Sequence, residues 1–300
     1  MHYKIHKLTH PLALSPKERI LVEELRDAIR SLPNISREKP EVSTAENTWI
    51  HFRESLRNEI LTSDPRYFLH WSVIMHTMFY PGDKVELAAL QKSEQWQLWE
   101  AGIKETSVGY PARHEDYPLS SGNLIHHAYL LHRLSKTLDI NPRDLQSVFE
   151  FGGGYGSTAR LLYQLGFRGE YIIFDLPEFL LLQKFFLRSL CEEKNIDWNS
   201  STLSKIQFLS ETESIPERIS PDLFIAAWSL SESPIAVREK LLPPLKASKY
   251  IAIAYQHKFR EIDNIAYFKK ISEQMPGYTW ISEDILHQPG NSFLFGRRGK

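Results

Sequence analysis

The sequence lacks most of the features that assign a protein to a specialised class. Cysteine occurs once in 300 residues, at Cys191, so no disulfide can form within the chain. The strongest apolar run, over residues 67–80, is interrupted by two histidines, a serine and a threonine, and has the length of a buried helix rather than of a membrane span. Residues 1–14 have no apolar core and indicate neither a secretory signal nor an anchor. We therefore expect a soluble cytoplasmic protein with no membrane insertion.

Charge of neither sign is in excess. The chain has 36 Lys and Arg against 37 Asp and Glu, so it lacks the basic field that a nucleic-acid-binding protein needs. A small or neutral partner is the better prediction, and nucleic acid is not expected as a partner. At 300 residues the chain can bury its own core, either as one large domain or as a domain with a substantial extension.

The first 120 residues are predicted to be mainly helical. The segment Ser15-Pro16-Lys17-Glu18 combines a capping serine, a proline in the first turn and a glutamate three residues after the cap, so a helix begins there. Other apolar patterns with helical spacing cover residues 48–61, 67–80 and 85–103, with loops over 31–43 and 104–121. His70 and His76 could belong to a metal pocket, but no Cys or HxxxH spacing accompanies them. A core helix with two satisfied histidines is the preferred interpretation.

The pattern changes in the second part of the chain. A helix is expected over residues 121–138, with three histidines distributed around it and at least one of them facing solvent. Short apolar runs then alternate with helical patterns, which predicts a mostly parallel sheet covered by helices on both faces. The predicted strands are 147–151, 170–174, 205–209, 222–230 and 250–255. A helix is predicted after the first of these strands, ending at about 165, and others over 178–193, 234–245 and 262–273. Residues 278–287 and 292–297 leave no room for a crossover helix and should form an antiparallel hairpin.

The most informative stretch is the glycine-dense turn that follows the strand over 147–151. Glycines at 152, 154 and 156 permit a tight turn and close approach of a ligand to the main chain, at the start of a helix whose N–H groups favour an anion. Asp175 follows Gly152 by 23 residues (175 − 152), close to the roughly 20 residues expected for an acid that binds a ribose diol. Residues 154–159 also satisfy GxGxxA, so an NAD(P)-dependent oxidoreductase stays open.

Three features together resemble the class I S-adenosylmethionine-dependent methyltransferases. They are Glu150 before the first glycine, the helical extension before the βαβ unit, and the closing antiparallel hairpin. In that family the sheet has seven strands with the last one antiparallel, the glycine turn holds the methionine part of the cofactor, and the acid after strand two holds its ribose. The resemblance implies an α/β, Rossmann-like methyltransferase domain over residues 121–300, preceded by a helical lid or substrate region over 1–120, with S-adenosyl-L-methionine as cofactor. It implies these cofactor-binding residues: Glu150, Gly152, Gly153, Gly154, Gly156, Asp175, Leu176, Ser210, Glu211 and Trp228.

Within that class, the sequence is similar to the bacterial sugar O-methyltransferases. The similarity covers roughly the second half of the chain and rests on residues 149–156, 173–178, 180–183, 228–232, 254–256 and 261–264. It implies that the acceptor is a hydroxyl of a sugar or glycan precursor, with the helical half as a lid that supplies acceptor specificity. A methyltransferase-like binding module without chemistry stays open as an alternative. Apolar residues in the helical half, including Trp71, Trp96 and Trp99, leave a homodimer open.

Methyl transfer to a hydroxyl also needs a base that removes the proton of the hydroxyl. Ligands in open α/β sheets bind at the carboxyl ends of the strands, where Glu232 and His257 are placed, so these two are the predicted catalytic residues. His126 or His127 could enter the site from the preceding helix, and the sequence does not choose among them. No obligatory metal is predicted, because only scattered carboxylates follow strands four and five.

Overall fold

The computed structural model describes residues 13–35, 43–193, 198–216 and 219–299. Most of the segment 1–14, in which no signal or anchor is expected, and the middle of the predicted loop 31–43 lie outside the described residues. Among the described residues, no helix combines the length and apolar character that crossing a bilayer would require.

The described N-terminal part is helical, as predicted, although two of its apolar patterns are each divided into shorter helices. It contains α1 (Pro16–Ser31), α2 (Thr44–Thr62), a 3-10 helix (Pro65–His70), α3 (Ser72–Thr77), α4 (Lys84–Gln91) and α5 (Trp96–Gly102). The capping box expected at the start of α1 is confirmed: the Ser15 side chain accepts from the Glu18 N–H, and the Glu18 carboxylate accepts from the Ser15 N–H.

Two of the predicted helices are each interrupted, and local polar contacts explain both interruptions. The pattern over 67–80 breaks at Trp71, whose backbone is extended, because the Glu59 carboxylate accepts the N–H of Ser72 at 2.8 Å and so starts α3 anew. The pattern over 85–103 breaks after α4, where the Ser93 hydroxyl accepts the N–H of Gln95. The prediction of a core helix with two satisfied histidines was wrong for His76, which is exposed.

A small hairpin replaces part of the loop predicted over 104–121. It consists of β1 (Arg113–His114) and β2 (Tyr117–Ser121), which pair antiparallel and are too short to show the alternation of a strand in the sequence. Helix α6 (Gly122–Leu138) follows, with the Ser121 hydroxyl as its cap. At least one of its three histidines was expected to face solvent; His126 is buried and the other two are half-buried, so none is as exposed as expected.

The rest of the chain forms one seven-stranded sheet with helices on both faces. Its elements are β3 (Ser147–Phe151), α7 (Ser157–Gln164), β4 (Glu170–Phe174), α8 (Pro177–Ser189), α9 (Ser200–Leu203), β5 (Ile206–Leu209), β6 (Leu223–Ala227), α10 (Ile235–Lys240), α11 (Leu242–Ala247), β7 (Tyr250–Gln256), the short pair β8 (Lys258–Phe259) and β9 (Ile262–Asp263), α12 (Asn264–Glu273), β10 (Tyr278–Asp284) and β11 (Asn291–Arg298). Three 3-10 turns lie at Pro142–Asp144, Leu190–Glu192 and Thr212–Ser214.

The strand order of the sheet is β10-β11-β7-β6-β3-β4-β5. The five strands from β7 to β5 are parallel, and the last strand of the chain, β11, is antiparallel to both of its neighbours. This confirms the predicted fold class, a Rossmann-like methyltransferase sheet with an antiparallel C-terminal hairpin. It differs from the order 3-2-1-4-5-6 of a dinucleotide-binding sheet, because the final strand is inserted before the sixth.

Several predicted elements of this part differ from their expected bounds: the helix predicted over 178–193 ends at Ser189 and the strand predicted over 278–287 ends at Asp284. The strand predicted over 222–230 ends at Ala227, because Trp228 has a left-handed backbone with φ of 63°. The helix predicted over 234–245 divides into α10 and α11 at Leu241, where two prolines follow in the first turn of α11 and supply no N–H to continue the first helix.

Two hydrophobic cores enclose the sheet. On one face, α6, α7 and α8 pack together with the N-terminal helices, and on the other face α11 and α12 cover the strands. Helices α1 and α2 pack against α8, so the N-terminal helices share a core with the sheet. The division of the chain at residues 120 and 121 stays a prediction.

Candidate functional site

A cavity of ≈ 650 Å³ lies at the carboxyl ends of β3, β4 and β6, beneath α2. In the sheet, β4 and β5 lie on one side of β3, and β6 and β7 lie on the other side. The cavity therefore occupies the point at which the strand order reverses, which is where open α/β sheets bind ligands.

The glycine turn forms one wall of this cavity. Gly152, Gly154 and Gly156 have left-handed backbones, with φ of 72°, 60° and 96°. A Cβ added to Gly152 would lie 2.2 Å from the Cβ of Ser229, in the segment after β6, so only glycine allows the two segments to pack together. The Ser229 hydroxyl donates to the Phe151 carbonyl and ties this segment to the end of β3. The turn is thus a cradle whose width is fixed by the neighbouring strand.

Glu150 is a carboxyl on a strand of the core. It faces the same side of β3 as the buried Val148, and its Oε2 accepts a hydrogen bond from the Tyr171 hydroxyl at 3.0 Å. Burial raises the pKa of Glu150 to about 7, even though hydrogen bonds from Tyr171 and Thr158 favour the ionised form. Glu150 is among the residues that line the cavity.

Asp175 is the second carboxyl in the cavity and lies directly after β4. Its Oδ1 accepts the N–H of Leu176 and its Oδ2 accepts the side-chain amide of Gln183, both at 2.7 Å. Burial raises the pKa of Asp175 to about 7, with a further contribution from the nearby Glu150. These internal hydrogen bonds hold the carboxyl in one orientation and leave lone pairs for a ligand.

Helix α2 covers the cavity, and two arginines attach it to the sheet domain. Arg53 donates to both oxygens of Glu178, at 2.7 and 3.2 Å, and Arg57 donates to one of them at 2.7 Å. Glu178 is completely buried in the first turn of α8, and although burial alone would raise its pKa, the two arginines hold that pKa below its ordinary value. One turn before Arg53, Trp49 points across the cavity and its Nε1–H donates to the Glu232 carbonyl at 3.3 Å.

Trp228 lies at the end of β6, and its left-handed backbone turns the chain into the cavity wall. Its indole stacks on the ring of His126, with ring centroids 4.7 Å apart and planes inclined by 26°. Its Nε1–H donates to Asn291 Oδ1 at 2.8 Å, at the start of β11. Trp228 therefore joins three elements of the cavity wall: β6, α6 and the C-terminal hairpin.

Glu232 is a third carboxyl in the cavity, and a polar network positions it. Gln256 Nε2 donates to Glu232 Oε1 at 3.1 Å, and the Ser231 hydroxyl donates to Gln256 Oε1 at 2.6 Å. The guanidinium of Arg238, which is completely buried, donates to the carbonyls of Ser231 and Ser233 on either side. Burial raises the pKa of Glu232 to about 7.

The cavity brings together most of the residues predicted from the sequence. Its wall includes the predicted cofactor residues Glu150, Gly152, Gly153, Gly154, Asp175, Leu176, Ser210 and Trp228, together with Glu232, His126 and His127. Three other predicted residues do not line it: Gly156, Glu211 and His257. His257 lies 2.8 Å from the Ser292 hydroxyl, which in turn donates to Asp284 on the hairpin.

The sequence interpretation missed the contributions of α2 and of the segment around Tyr80. Glu46, Trp49, Ile50 and Arg53 line the cavity at helical spacing, and this spacing is the one signal that identifies them as one face of a helix. Tyr80, Gln288 and Asn291 also line the cavity, and nothing in their local sequence indicates it. Among the described residues, no group of three or more His, Cys, Asp or Glu side chains is arranged to hold a metal ion.

Comparison with known proteins finds likeness only among solved structures. No family model matches the sequence, and no curated protein matches it. A methyltransferase domain of bacterial CtHen1-C shares 13% identity over 59% of this chain and 100% of that chain, with a TM-score of 0.45. The glycopeptide N-methyltransferase MtfA shares 10% identity over 57% of this chain and 90% of that chain, with a TM-score of 0.41.

A third similar structure is a precorrin-6y methyltransferase from Geobacter metallireducens, with 11% identity over 63% of this chain and 94% of that chain, and a TM-score of 0.40.

Proposed function

We propose that this chain is an S-adenosylmethionine-dependent methyltransferase that transfers a methyl group to a hydroxyl of a sugar or glycan precursor. The observation that carries the proposal is the placement of the glycine cradle and Asp175 in the wall of one cavity, at the carboxyl ends of two adjacent parallel strands. The strand order supports a methyl donor over a nicotinamide cofactor, because β11 is antiparallel and lies before β10 in the sheet.

The residues of the cavity fit the donor. The glycine cradle and Glu150 are proposed to hold its methionine part, and Asp175 is proposed to accept hydrogen bonds from its ribose hydroxyls. Leu176 and Ser210 are proposed to lie beside its adenine. When bound, the donor supplies a methyl carbon on a sulfonium, which is a good leaving group, so the protein has to orient the acceptor and remove one proton.

The other end of the cavity suits a neutral polyol. Aromatic side chains of Trp49, Trp228 and Tyr80 offer flat apolar surfaces, and the carboxamides of Gln288 and Asn291 offer hydrogen bonds. Mainly apolar walls with a few fixed polar groups are typical of small-molecule sites. Helix α2 is proposed to be the lid that selects the acceptor, since the ion pair between Arg53 on α2 and Glu178 on α8 holds Trp49 over the cavity.

A base for the hydroxyl proton must lie in the cavity wall. Glu232 and His257 are the residues predicted from the sequence, and of these two Glu232 lines the cavity. His126 and His127 line it as well, but burial lowers the pKa of His127 to about 3, which makes it a weak proton acceptor. Of the four candidates considered from the sequence, Glu232 and His126 are therefore the two that could take the proton.

Calorimetric titration with S-adenosylmethionine, S-adenosylhomocysteine and NAD tests the donor. Binding of the first two and not of NAD is the expected result, and NAD binding with no response to either sulfur compound would overturn the proposal. Turnover of methyl-labelled donor with a panel of nucleotide-sugars and oligosaccharides then tests the acceptor. Donor binding without turnover on any acceptor would favour a binding module over an enzyme.

A further inference from the structure

A buried carboxylate next to the cavity has no part in the reaction as described so far. Glu86 lies on α4 and is completely buried. Its Oε1 lies 2.6 Å from Nδ1 of His126 on α6, and 2.8 Å from Nε2 of His287 in the segment between β10 and β11. Three separate parts of the chain thus meet at one carboxylate oxygen.

This cluster is not explained by stability alone. The second oxygen of Glu86, Oε2, is buried and accepts no hydrogen bond from the described part of the chain, which costs stability. Burial alone would raise the pKa of Glu86, but the paired rings of His126 and His287 hold that pKa below its ordinary value. Glu86 is therefore ionised at neutral pH.

The ionised state of Glu86 determines which nitrogen of His126 carries hydrogen. An ionised carboxylate only accepts hydrogen bonds, so Nδ1 of His126 must be the donor. In the neutral ring the proton acceptor is then Nε2, on the edge of the ring opposite Glu86. The ring lies between Tyr80, with centroids 4.2 Å apart, and Trp228, at 4.7 Å, so it cannot turn over without disturbing both. His126 lines the cavity, and Nε2 is the ring nitrogen left for a ligand there.

We propose that His126 is the base that accepts the proton of the acceptor hydroxyl, and that Glu86 is the positioning residue that fixes its ring and tautomer; this rests on the function proposed above. As the hydroxyl oxygen bonds to the methyl carbon, the carbon–sulfur electron pair goes to sulfur and the hydroxyl proton goes to Nε2 of His126. The imidazolium that forms is stabilised by Glu86, in the way that a buried acid assists a catalytic histidine. Glu232 lacks such a partner, because Gln256 beside it is neutral.

Several titratable groups surround the ring of His126 and its partner Glu86. On the α4 side, Glu86 lies against His126, and Asp83, the cap of α4, acts on His287. Burial raises the pKa of Tyr80 to about 12, and burial lowers that of His127 to about 3, so neither changes its charge near neutral pH. The hydrogen bond with Glu86 raises the pKa of His287, the remaining neighbour.

The tautomer is measured by nitrogen-15 NMR of the histidine-labelled protein, with and without S-adenosylhomocysteine, and His126→Asn assigns the signal. We expect His126 with hydrogen on Nδ1 in the wild type, and a shift toward the Nε2–H form in Glu86→Gln, which removes the charge. His132→Asn, on the same helix and outside the cavity wall, should leave the His126 signal unchanged. An Nε2–H tautomer of His126 in the wild type overturns the proposal; the tautomer is read in the wild type, and only the assignment of its signal uses a variant.

Rates are measured with the acceptor that gives the highest turnover in the panel. We expect His126→Asn to lower kcat by about 10²–10⁴-fold, the usual contribution of general base catalysis, and to remove the acidic limb of the pH profile. Glu86→Gln should shift that limb, and Glu232→Gln should retain it. A limb that persists in His126→Asn and disappears in Glu232→Gln assigns the proton to Glu232 and overturns the proposal. Failure to bind S-adenosylhomocysteine overturns the proposed function instead, and leaves the tautomer of His126 unaffected.

Discussion

Replacing Asp175 with Asn tests the donor site with the smallest change of shape. The carboxyl is fixed by the N–H of Leu176 and the amide of Gln183, each at 2.7 Å. An asparagine can keep the first hydrogen bond through its oxygen, but its NH₂ group then faces the NH₂ group of Gln183, and two donors meet. The variant therefore loses both the charged acceptor proposed for the ribose and part of the support that orients it.

The size of the effect follows from the kind of hydrogen bond that is lost. A hydrogen bond to a charged group contributes about 1.5–3 kcal/mol, and each 1.4 kcal/mol corresponds to about a tenfold change in Kd. Loss of one such bond to a ribose hydroxyl should weaken S-adenosylhomocysteine binding by about 10- to 150-fold. The effect should be largest above pH 7, because the wild-type carboxyl, with its pKa raised to about 7 by burial, is ionised there.

The assay is calorimetric titration of S-adenosylhomocysteine at pH 8 on the wild type, Asp175→Asn and the control Asp139→Asn. Asp139 ends α6 with a left-handed backbone, which asparagine also tolerates, and it is exposed and outside the cavity wall. Circular dichroism and Tm establish that each variant is folded. If Asp175→Asn binds the ligand within twofold of the wild type while the control also binds normally, Asp175 does not hold the ribose.

Burial raises the pKa of Glu150, Asp175 and Glu232 each to about 7, so the folded donor-free protein retains protons that the unfolded chain releases. Its free energy of unfolding, measured in urea, should fall as pH rises from about 4.5 to about 7 and then level off, and a profile that does not fall would contradict these shifts. Gly152→Ala should lower the free energy of unfolding by about 2–4 kcal/mol, because the new Cβ adds strain to a left-handed backbone and also clashes with the segment after β6. Gly290→Ala, with φ of 84° and no neighbour within 4 Å, should show only the backbone strain. Equal losses of unfolding free energy in urea for the two variants would refute the clash. Glu178→Gln removes the charge of a completely buried carboxylate that pairs with two half-buried guanidiniums, and should lower the free energy of unfolding by about 3 kcal/mol. Glu24→Gln, from an exposed pair, should change it by less than about 1 kcal/mol.

Local sequence signals predicted the parts of the fold that depend on near neighbours. Alternating strand and helix patterns identified β3 to β7 and the closing hairpin, because buried parallel strands and crossover helices each have a distinct period. The breaks within predicted helices and strands were not predicted where they depend on one residue or on a side chain from a distant element. Glu59 restarts α3 from another helix, and the left-handed backbone of Trp228 ends β6 three residues before the apolar run ends.

For the candidate site, residue types and their spacing were enough to predict the glycine turn, Glu150 before it and Asp175 after it, because a tight turn and strand-end carboxyls require particular residues at fixed spacing. Tertiary structure alone decided what lies opposite that turn. Helix α2 is held over the cavity because its Arg53 pairs with Glu178, more than 100 residues away in the chain. Glu86, His126 and His287 are likewise brought together from three elements. Such contacts leave no periodic pattern in the sequence, because each residue contributes one side chain whose partner is fixed only by the packing of the whole fold.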